Sequence, residues 1–506
     1  MIERSKPGRL LVFLFTNLGR RLGVLSNMAT GIAIMVQGCT SDAGKSLITM
    51  ALCRHLSNLG FKVAPFKAQN MSNNARVVAD GEIGTAQWLQ AKAARVKPDV
   101  RMNPVLLKPE SDVKSQVVVL GKANLEYSQM GWRFRSNLLW DVVSDSLKAL
   151  LEEFEIVVIE GAGSPAEINL SDSDIVNMRV AESVDARVLL VVDIDRGGAF
   201  AHLFGTYTLL PENQQSLIHG FLLNKFRGDP KLLEPGPQML TSLTKVELAG
   251  VVPYIKHSVP NEEGPSAHII SSNQELKKIH IICGPYASNL DEFALLQQVT
   301  NLTWVTSVSD LSYSDLIILP GSKNSIADLD WMQQKGIDKK IKELAGQGIK
   351  ILGVCGGMQI LGKVIEDPLG IESGGEVTAL GLLDIFTTYS NQKKVFESSI
   401  KFNHVEEPWE MLSSQDFSGY EVRFGQSRIN RESNEWVSFS QAKNIFGIYL
   451  HGLFENQDFL QSFSGQLIED LDTTFEKMTE EVIGGFNPDW LKTFIGLTPD
   501  RINHND

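Results

Sequence analysis

A glycine-rich loop between a predicted strand and a predicted helix constrains the fold of this 506-residue chain more than any other feature. The apolar run 31–36 leads into Gly38-Cys-Thr-Ser-Asp-Ala-Gly-Lys-Ser46, and a helical pattern follows at Leu47–Leu59. Such a loop points several backbone N–H groups and the positive end of the helix at one place, which suits a polyphosphate. We therefore predict that Lys45 reaches the outer phosphates and that Ser46 holds Mg²⁺.

The spacing within this loop departs from the common phosphate-loop pattern. Five residues, rather than four, separate Gly38 from Gly44, so the loop is a variant in which Gly44 is predicted to lie against the phosphates. The alternative is a glycine turn with an incidental lysine, which the order of strand, loop and helix disfavours.

Composition limits the classes of protein to which the chain can belong. With 43% hydrophobic residues, it has enough apolar material for about two or three globular domains. A formal net charge of −13 argues against nucleic acid or an anionic membrane as a partner. The cysteines form no CxxC pair, so neither a disulfide scaffold nor a zinc site is predicted, and a cytoplasmic location is expected. They are Cys39, Cys53, Cys283 and Cys355.

The N-terminus resembles a signal peptide only in part. Leu10–Phe15 is apolar and follows basic residues, but it is too short, and Arg20 and Arg21 come before any small-residue cleavage site. No other run approaches the roughly 20 apolar residues of a membrane span. We expect residues 1–27 to be an extension ahead of Met28.

Buried-strand patterns alternate with helical patterns as far as residue 256. The clearest strands are Ile156–Glu160, Arg187–Val192 and Gly220–Asn224. This alternation predicts an α/β domain at 28–256, built on a parallel, doubly wound sheet.

Several polar residues follow predicted strands, where α/β sheets commonly bind ligands. Lys67 stands before the polar stretch Ala68–Asn74, and both are placed to touch a ligand. Glu160 ends a buried strand and is predicted to be a carboxylate associated with Mg²⁺, although a strand can end in glutamate by chance. Asn224 is placed either to contact a nucleotide base or to form a simple turn. Glu82, near the start of a predicted helix, is more simply a helix-dipole carboxylate than a metal ligand.

A change in composition marks the start of a second α/β unit. Residues 257–276 are rich in Pro, Glu, Gly, Ser and Asn without periodicity, which predicts a linker. The second domain is predicted at 277–465, and a C-terminal tail at 466–506. The predicted strands of this domain are Lys278–Cys283, Leu316–Leu319, Lys350–Val354 and Asn444–Leu450.

The second chemical feature is the segment Leu352-Gly-Val-Cys-Gly-Gly-Met-Gln-Ile-Leu-Gly362. It places Cys355 on a sharp turn between a strand and a helix, where the sulfur is exposed and the positive helix end favours the thiolate. His451, at the end of a predicted strand, is predicted to be its base, although a structural role is equally open. Gly321 and Gly356 are predicted to supply backbone N–H groups for an oxyanion.

A phosphate site and a cysteine nucleophile in one chain point to two linked reactions. Cys355 would attack the side-chain amide of glutamine, and His451 would protonate the departing ammonia. ATP would activate a substrate carboxylate as an acyl phosphate, which would then accept that ammonia.

Several segments of the chain also carry a family resemblance. They are Gln37–Ser46, Ala64–Asn74, Asn103–Pro109, Glu160–Leu170, Asp193–Phe200, Asn224–Asp229 and Asp367–Gly375. Together they resemble the cobyric acid synthases, the glutamine-dependent amidotransferases of cobalamin biosynthesis, over nearly all of 28–454. The resemblance implies a phosphate-loop domain similar to dethiobiotin synthetase, followed by a class I glutamine amidotransferase domain with a flavodoxin-like fold. It also implies a corrinoid substrate, adenosylcobyrinic acid a,c-diamide, whose b, d, e and g side-chain carboxylates are amidated with glutamine, ATP and Mg²⁺.

The resemblance implies roles for individual residues as well. By similarity to dethiobiotin synthetase, Glu82 and Glu160 match carboxylates that hold Mg²⁺, and this favours Glu82 as a metal ligand. Lys67 matches a second phosphate-binding lysine, and Asn224 matches a contact to adenine. The five-residue spacing of the phosphate loop is also the form found in that enzyme.

Two positions depart from the class I amidotransferase pattern. Leu453 stands where most of these enzymes have a glutamate two residues after the histidine, and the cobyric acid synthases are similar in lacking it. Glu455 is out of register, so no complete triad is predicted. Arg423 stands where the family commonly has a histidine.

Two other functions remain as alternatives. The a,c-diamide synthase of the same pathway shares the architecture but usually lacks segments like Gln69–Asn74 and Asn103–Pro109. A partition-type ATPase typically carries an extra lysine early in its phosphate loop, which is absent here, and has no reason to carry Cys355 on a second domain. The oligomeric state is not predicted.

Overall fold

The computed structural model describes residues 31–111, 114–257, 259–260, 276–433 and 435–496. The predicted extension at 1–27 lies outside these ranges, as does most of the predicted linker at 257–276. None of the helices in the described ranges has the length and apolar character needed to cross a membrane.

The first domain is built on a six-stranded parallel sheet that confirms the predicted α/β architecture. Its strands in chain order, with those of two smaller sheets, are β1 (Ile32–Gly38), β2 (Val63–Phe66), β3 (Gln69–Met71), β4 (Ala75–Val78), β5 (Gly81–Gly84), β6 (Val105–Ser111), β7 (Lys114–Val119), β8 (Lys122–Asn124), β9 (Ile156–Glu160), β10 (Arg187–Asp193), β11 (Ile218–Phe226) and β12 (Leu248–Pro253). The large sheet has the order β12-β11-β10-β1-β9-β2, so the strand before the phosphate loop lies near its centre.

Helices cover both faces of this sheet. They are α1 (Lys45–Asn58), α2 (Thr85–Ala93), α3 (Leu125–Gln129), α4 (Trp132–Glu153), α5 (Met178–Ser183), α6 (Ala199–Leu209), α7 (Glu212–Gln215) and α8 (Gly236–Thr244). Successive residues of β1 enter different cores, because side chains alternate across a strand: Ala33 and Met35 pack on one face, and Ile34 and Val36 on the other. Burial on both faces is typical of a doubly wound parallel sheet.

Two smaller sheets lie beside the large one and correct some local predictions. One has the order β3-β6-β7-β8, and the other is the antiparallel pair β4–β5. The polar stretch Ala68–Asn74 therefore contains a short strand instead of only a loop. Glu82 lies on β5, before helix α2 begins, so its interpretation as a helix-dipole carboxylate is wrong. Pairing with β4 decided this conformation, and such long-range pairing is not visible in local propensity.

The second domain contains another six-stranded sheet, in the order β15-β13-β16-β18-β25-β24. The strands of this domain are β13 (Lys278–Ile282), β14 (Ala287–Ser288), β15 (Asn301–Val305), β16 (Leu316–Leu319), β17 (Gly321–Ser322), β18 (Lys350–Val354), β19 (Val364–Asp367), β20 (Gly375–Thr378), β21 (Phe386–Lys401), β22 (Asp416–Arg428), β23 (Trp436–Val437), β24 (Phe439–Ala442) and β25 (Ile445–Ile448). The predicted strands of this sheet are its four adjacent central members. All pairings are parallel except β24 with β25, and the prediction missed both edge strands.

The helices of the second domain surround this sheet. They are α9 (Ala294–Val299), α10 (Ser325–Lys335), α11 (Ile337–Gly346), α12 (Gly356–Leu361) and α13 (Gln457–Ser464). A separate five-stranded sheet, in the order β20-β19-β21-β22-β23, contains the long antiparallel pair β21–β22, which the sequence patterns did not predict. This pair reaches β4 and β5 and so joins the two domains.

The segment after residue 465, predicted to be a tail, returns to the first domain. It forms helices α14 (Leu471–Gly484) and α15 (Pro488–Phe494), whose apolar residues share a core with Ile34 and Val36 of β1. Arg54 of α1 is fully buried beneath α14 and donates to Asp472 at 2.5 Å and Glu476 at 3.2 Å. The second domain is thus inserted between two parts of the chain that pack together.

Candidate functional site

The phosphate loop runs from the end of β1 to the start of α1. Gly44 has a φ of 95°, a conformation that favours glycine, and a Cβ there would lie 2.1 Å from Asn224 Nδ2. Asn224 donates from Nδ2 to the Ala43 carbonyl at 2.9 Å and so supports the loop from β11. Lys45 Nζ donates to the carbonyl oxygens of Thr40 at 3.2 Å and Gly163 at 3.3 Å. The lysine therefore lies between the loop and the turn that follows β9.

Glu160 accepts hydrogen bonds from three polar side chains at the carboxyl end of the large sheet. Ser46 Oγ and Lys67 Nζ each donate to Glu160 Oε1 at 2.8 Å, and Gln90 Nε2 donates to Oε2 at 2.5 Å. Burial alone would raise the pKa of Glu160, but Lys67 and the hydrogen bonds lower it, so the carboxylate stays ionised. The structure thus brings together Ser46, Lys67 and Glu160, and it adds Gln90, which the sequence did not single out.

The oxygen atoms of Ser46 and Glu160 fit a magnesium site. Mg²⁺ prefers hard oxygen ligands and usually takes only one or two from the protein, the rest coming from phosphates and water. A hydroxyl and an ionised carboxylate in contact meet this need. No group of three or more His, Cys, Asp or Glu side chains able to hold a metal by itself occurs in the described part of the chain.

Glu82 has a different environment. Its Oε2 accepts from Lys108 Nζ at 2.5 Å, and its Oε1 accepts from Lys393 on β21 of the second domain. Burial would raise the pKa of Glu82, but the two lysines lower it to about 2. Glu82 therefore bridges the two domains in this conformation. A role in binding Mg²⁺ stays a prediction, and it requires these lysines to give way.

Cys355 occupies a strained turn between β18 and α12. Its φ of 50° and ψ of −104° are rare for a residue with a side chain, and such strain is found mainly at functional sites. Its backbone N–H donates to the Ile448 carbonyl at 2.7 Å. The glycines that follow allow a close approach, since a Cβ on Gly357 would lie 1.9 Å from the Leu319 carbonyl oxygen. The sharp turn predicted from the sequence is present.

His451 lies beside Cys355 and is held by Glu292. The imidazole Nδ1 lies 2.8 Å from Glu292 Oε1, and the Cys355 thiol donates to the Val422 carbonyl at 3.6 Å. Burial alone would lower the pKa of His451, but Glu292 and the Cys355 sulfur raise it to about 10. The other oxygen of Glu292 accepts from the Gly452 N–H at 2.7 Å. These contacts favour the imidazolium form of His451.

Glu292 is the carboxylate that contacts His451 in this structure, and the sequence did not single it out. It lies 159 residues before the histidine and is 1% exposed. Leu453, where most relatives of this class have their glutamate, is instead buried in the core. Asp291 and Glu292 are visible in the sequence as an acidic pair, but no fixed spacing along the chain relates them to His451.

The two predicted oxyanion segments adjoin this pair. A Cβ on Gly356 would lie 2.8 Å from the backbone nitrogen of Ser322, and one on Gly321 would lie 2.7 Å from His451 Cε1. The backbone at 321–322 therefore meets the start of α12 beside the thiol. A role for these backbone N–H groups in binding an oxyanion stays a prediction.

The pocket at Cys355 has a volume of about 520 Å³, including its mouth, and both domains line it. Asn73 and Lys108 come from the first domain. Among the described residues that line the pocket, Glu372 is the only carboxylate, and its Oε2 accepts from the Ser325 N–H at 2.7 Å. The basic side chains that line it are Lys108, Lys323, Lys393, Arg423 and His451.

Arg423, which stands where the related enzymes commonly have histidine, packs flat against an aromatic ring. Its guanidinium carbon lies 3.9 Å from the centroid of Tyr449. Its Nε donates to Glu421 at 2.8 Å and its Nη1 to the Gly425 carbonyl at 2.9 Å. The side chain therefore forms part of the pocket wall, and none of these three contacts involves His451.

Comparison with known proteins agrees with the presence of two different domains. Residues 34–264 match the model of the CobQ/CobB/MinD/ParA nucleotide-binding domain, and residues 278–459 match that of the CobB/CobQ-like glutamine amidotransferase domain. The chain is 46% identical over 487 residues to a cobyric acid synthase from Polaromonas naphthalenivorans (strain CJ2), covering 92% of this chain and 100% of that protein. It is also 46% identical over 486 residues to a cobyric acid synthase from Deinococcus radiodurans, covering 91% of this chain and 100% of that protein.

Proposed function

This chain belongs to the cobyric acid synthase family, and we propose that it converts adenosylcobyrinic acid a,c-diamide to adenosylcobyric acid. Membership makes it an ATP-dependent ligase with a glutamine amidotransferase domain, acting in cobalamin biosynthesis. The proposed products are amides at the b, d, e and g side-chain carboxylates of the corrinoid. We also propose Mg²⁺ as the metal and the cytoplasm as the location.

One observation carries the proposal most strongly. The pocket that contains Cys355 and His451 is lined by Asn73 and Lys108 of the nucleotide-binding domain. A site that releases ammonia is thus in direct contact with the domain that would consume it. Such contact is what a glutamine-dependent ligase requires, and a partition-type ATPase has no use for it.

In the first domain, the proposed roles concern the phosphates of ATP. Lys45 and Lys67 would neutralise phosphate oxygens, and the backbone N–H groups of the loop around Gly44 would bind them. Ser46 and Glu160 would hold Mg²⁺, which supplies positive charge to the phosphates, and Glu82 is a further candidate ligand. Formation of an acyl phosphate activates the corrinoid carboxylate toward ammonia.

In the second domain, Cys355 Sγ would attack the side-chain carbonyl carbon of glutamine. The C–N bond then breaks as His451 donates a proton to the leaving ammonia, which leaves a thioester. A water molecule hydrolyses the thioester to glutamate and restores the thiol. Backbone N–H groups near Gly321 and Gly356 would stabilise the negative oxygen in both steps.

Glu372 is proposed to bind the α-ammonium group of glutamine, because it is the single carboxylate among the described residues of the pocket wall. Glu372→Gln should raise the KM for glutamine by roughly 10- to 100-fold, the cost of a hydrogen bond to a charged group. The KM for glutaramate, which lacks the α-amino group, should not change. The side-chain amide of the Gln variant still offers an oxygen to accept from the Ser325 N–H, so the free energy of unfolding should not change either. An equal rise in both KM values would contradict this role.

The same carboxyl predicts a dependence on pH. Burial raises the pKa of Glu372 to about 8, so the ionised form that would bind an ammonium group grows as the pH rises toward 8. The KM for glutamine should therefore fall over this range in the wild type, and Glu372→Gln should remove the effect. A matching fall in the variant would assign the titration to another group.

Glu292→Gln should lower the kcat of glutamine hydrolysis by about 10²-fold, because the carboxylate stabilises the imidazolium of His451. The carboxylate also raises the pKa of His451, so its removal should move the alkaline limit of activity to lower pH. Glu343→Gln is a matched control, since Glu343 is an exposed residue of α11 in the same domain. An unchanged alkaline limit would show that Glu292 does not set the charge of the histidine.

Mass spectrometry of the corrin product tests the proposed reaction. Purified protein, MgATP and glutamine should convert adenosylcobyrinic acid a,c-diamide into a product with four new amides. If this substrate stays unchanged and cobyrinic acid gains two amides, the chain is an a,c-diamide synthase. If neither changes, the proposed substrate is wrong.

A further inference from the structure

A short segment of the first domain contacts the loop that holds the catalytic histidine of the second. The backbone N–H of Ala75 donates to Asn289 Oδ1 at 3.2 Å, and the N–H of Leu290 donates to Asn74 Oδ1 at 3.2 Å. The amide nitrogen of Asn289 lies 3.4 Å from His451 Nε2. The Asn289 side chain, which faces Nε2 of His451, is therefore held by a hydrogen bond from the first domain.

Arg76 forms buried ion pairs across this boundary. It is 3% exposed, and its guanidinium donates to Asp291 and to both oxygens of Glu455, with Nη1 at 2.8 Å from Glu455 Oε2. Both carboxylates belong to the second domain. A planar guanidinium suits this arrangement, because it can donate to two carboxylates at once.

Every partner of Arg76 in the second domain is a neighbour of His451. Asp291 directly precedes Glu292, which accepts from His451 Nδ1, and Glu455 follows the histidine by four residues. The guanidinium carbon also lies 5.3 Å from the ring centroid of Tyr420, which stacks on the His451 ring with centroids 5.1 Å apart and planes at 14°. Tyr420 and His451 further exchange two backbone hydrogen bonds.

The contacts of Arg76 balance the negative charge of neighbouring carboxylates. Asp291, Glu292 and Glu455 lie together, and Arg76 and His451 are the two cations bonded to them in the described structure. If Arg76 lost its charge, Asp291 would retain Thr85 Oγ1 at 3.3 Å as a donor but no cation. Leaving a buried carboxylate without a cation costs free energy, so we expect the loop at 289–292 to rearrange.

We propose that Arg76 is a positioning residue for glutamine hydrolysis, through which the first domain completes the catalytic site of the second. The guanidinium fixes Asp291, Glu455 and Tyr420, and these fix the orientation of Glu292 and His451. Glutamine hydrolysis thus depends on the docked interface, so ammonia is released only while the ligase domain is in place. This inference rests on the proposed glutaminase reaction and adds a requirement for an intact domain boundary.

Arg76→Gln tests the inference when glutamine and ammonia are compared as nitrogen sources. The kcat with glutamine should fall by about 10- to 100-fold, since small misplacements of catalytic groups have effects of this size. The KM for glutamine should change by less than about threefold, because Arg76 does not line the glutamine pocket. Amidation with free ammonia should be retained. Arg101→Gln is the matched control, because Arg101 pairs with Asp99 and Glu153 wholly within the first domain.

Arg76→Lys provides a second test if the Arg76→Gln protein does not fold. Lysine retains the charge but cannot bind two carboxylates in the same plane, so the kcat with glutamine should fall by a smaller factor while the ammonia reaction stays intact. An unchanged kcat with glutamine in a folded variant would overturn the inference, as would an equal loss with both nitrogen sources. If the wild type amidates from neither source, the proposed function has failed instead.

Discussion

Replacing Cys355 by alanine should abolish amidation with glutamine and leave amidation with free ammonia within about twofold of the wild type. Loss of the nucleophile removes the thioester route, and we expect a decrease of at least about 10³-fold in the glutamine reaction. The ammonia reaction should survive, because nucleotide and corrinoid are proposed to bind to the first domain. The measurement is the rate of corrinoid amide formation with each nitrogen source at saturating ATP.

Cys283→Ala is the matched control for this substitution. Cys283 is half-buried near the end of β13, and it does not line the pocket at Cys355. Its removal should leave both rates unchanged. If Cys355→Ala also lost the ammonia reaction without unfolding, the cysteine would be needed for more than ammonia release.

Replacing Lys45 by alanine should stop amidation from either nitrogen source, with a decrease of roughly 10²- to 10³-fold. A positive charge directed at the transferring phosphate is among the largest contributions that a single residue makes to such reactions. In the described structure the ammonium group bonds to the carbonyls of Thr40 in the loop and Gly163 in the turn after β9. Nucleotide affinity and amide formation should be measured on the same preparation.

Lys62→Ala is the control for Lys45. Lys62 is an exposed lysine of the first domain whose partner is Glu153, away from the phosphate loop. It should bind nucleotide and form amide as the wild type does. Appreciable amide formation by Lys45→Ala with ammonia would show that ATP acts elsewhere.

The features predicted correctly from sequence are those formed by neighbouring residues. The phosphate loop and the turn at Cys355 each combine a strand, a glycine-rich turn and a helix within about ten residues, so their geometry is encoded locally. The parallel arrangement of the large sheet, though not its strand order, also followed from alternating buried strands and helices. These local signals were enough to identify the two reactions.

Features that depend on distant parts of the chain were not visible in the sequence. Glu292 meets His451 across 159 residues, and Arg76 meets Glu455 across 379. Helix α14 packs on α1, which begins more than 400 residues earlier. The apolar face of α14 therefore gave no indication that α1 is its partner. The local pattern predicts a helix near Glu82, because the pairing of this residue with β4 is not a local property.

The Cys355 pocket and the phosphate loop together imply our central claim, that glutamine nitrogen released in the second domain is used by the first. The most direct test supplies glutamine labelled with nitrogen-15 in its side-chain amide, together with MgATP and unlabelled corrinoid. We expect each new corrinoid amide to carry the label, and no amide to form without ATP. If glutamate formed while the label collected only as free ammonium and the corrinoid gained no amide, the claim would be contradicted.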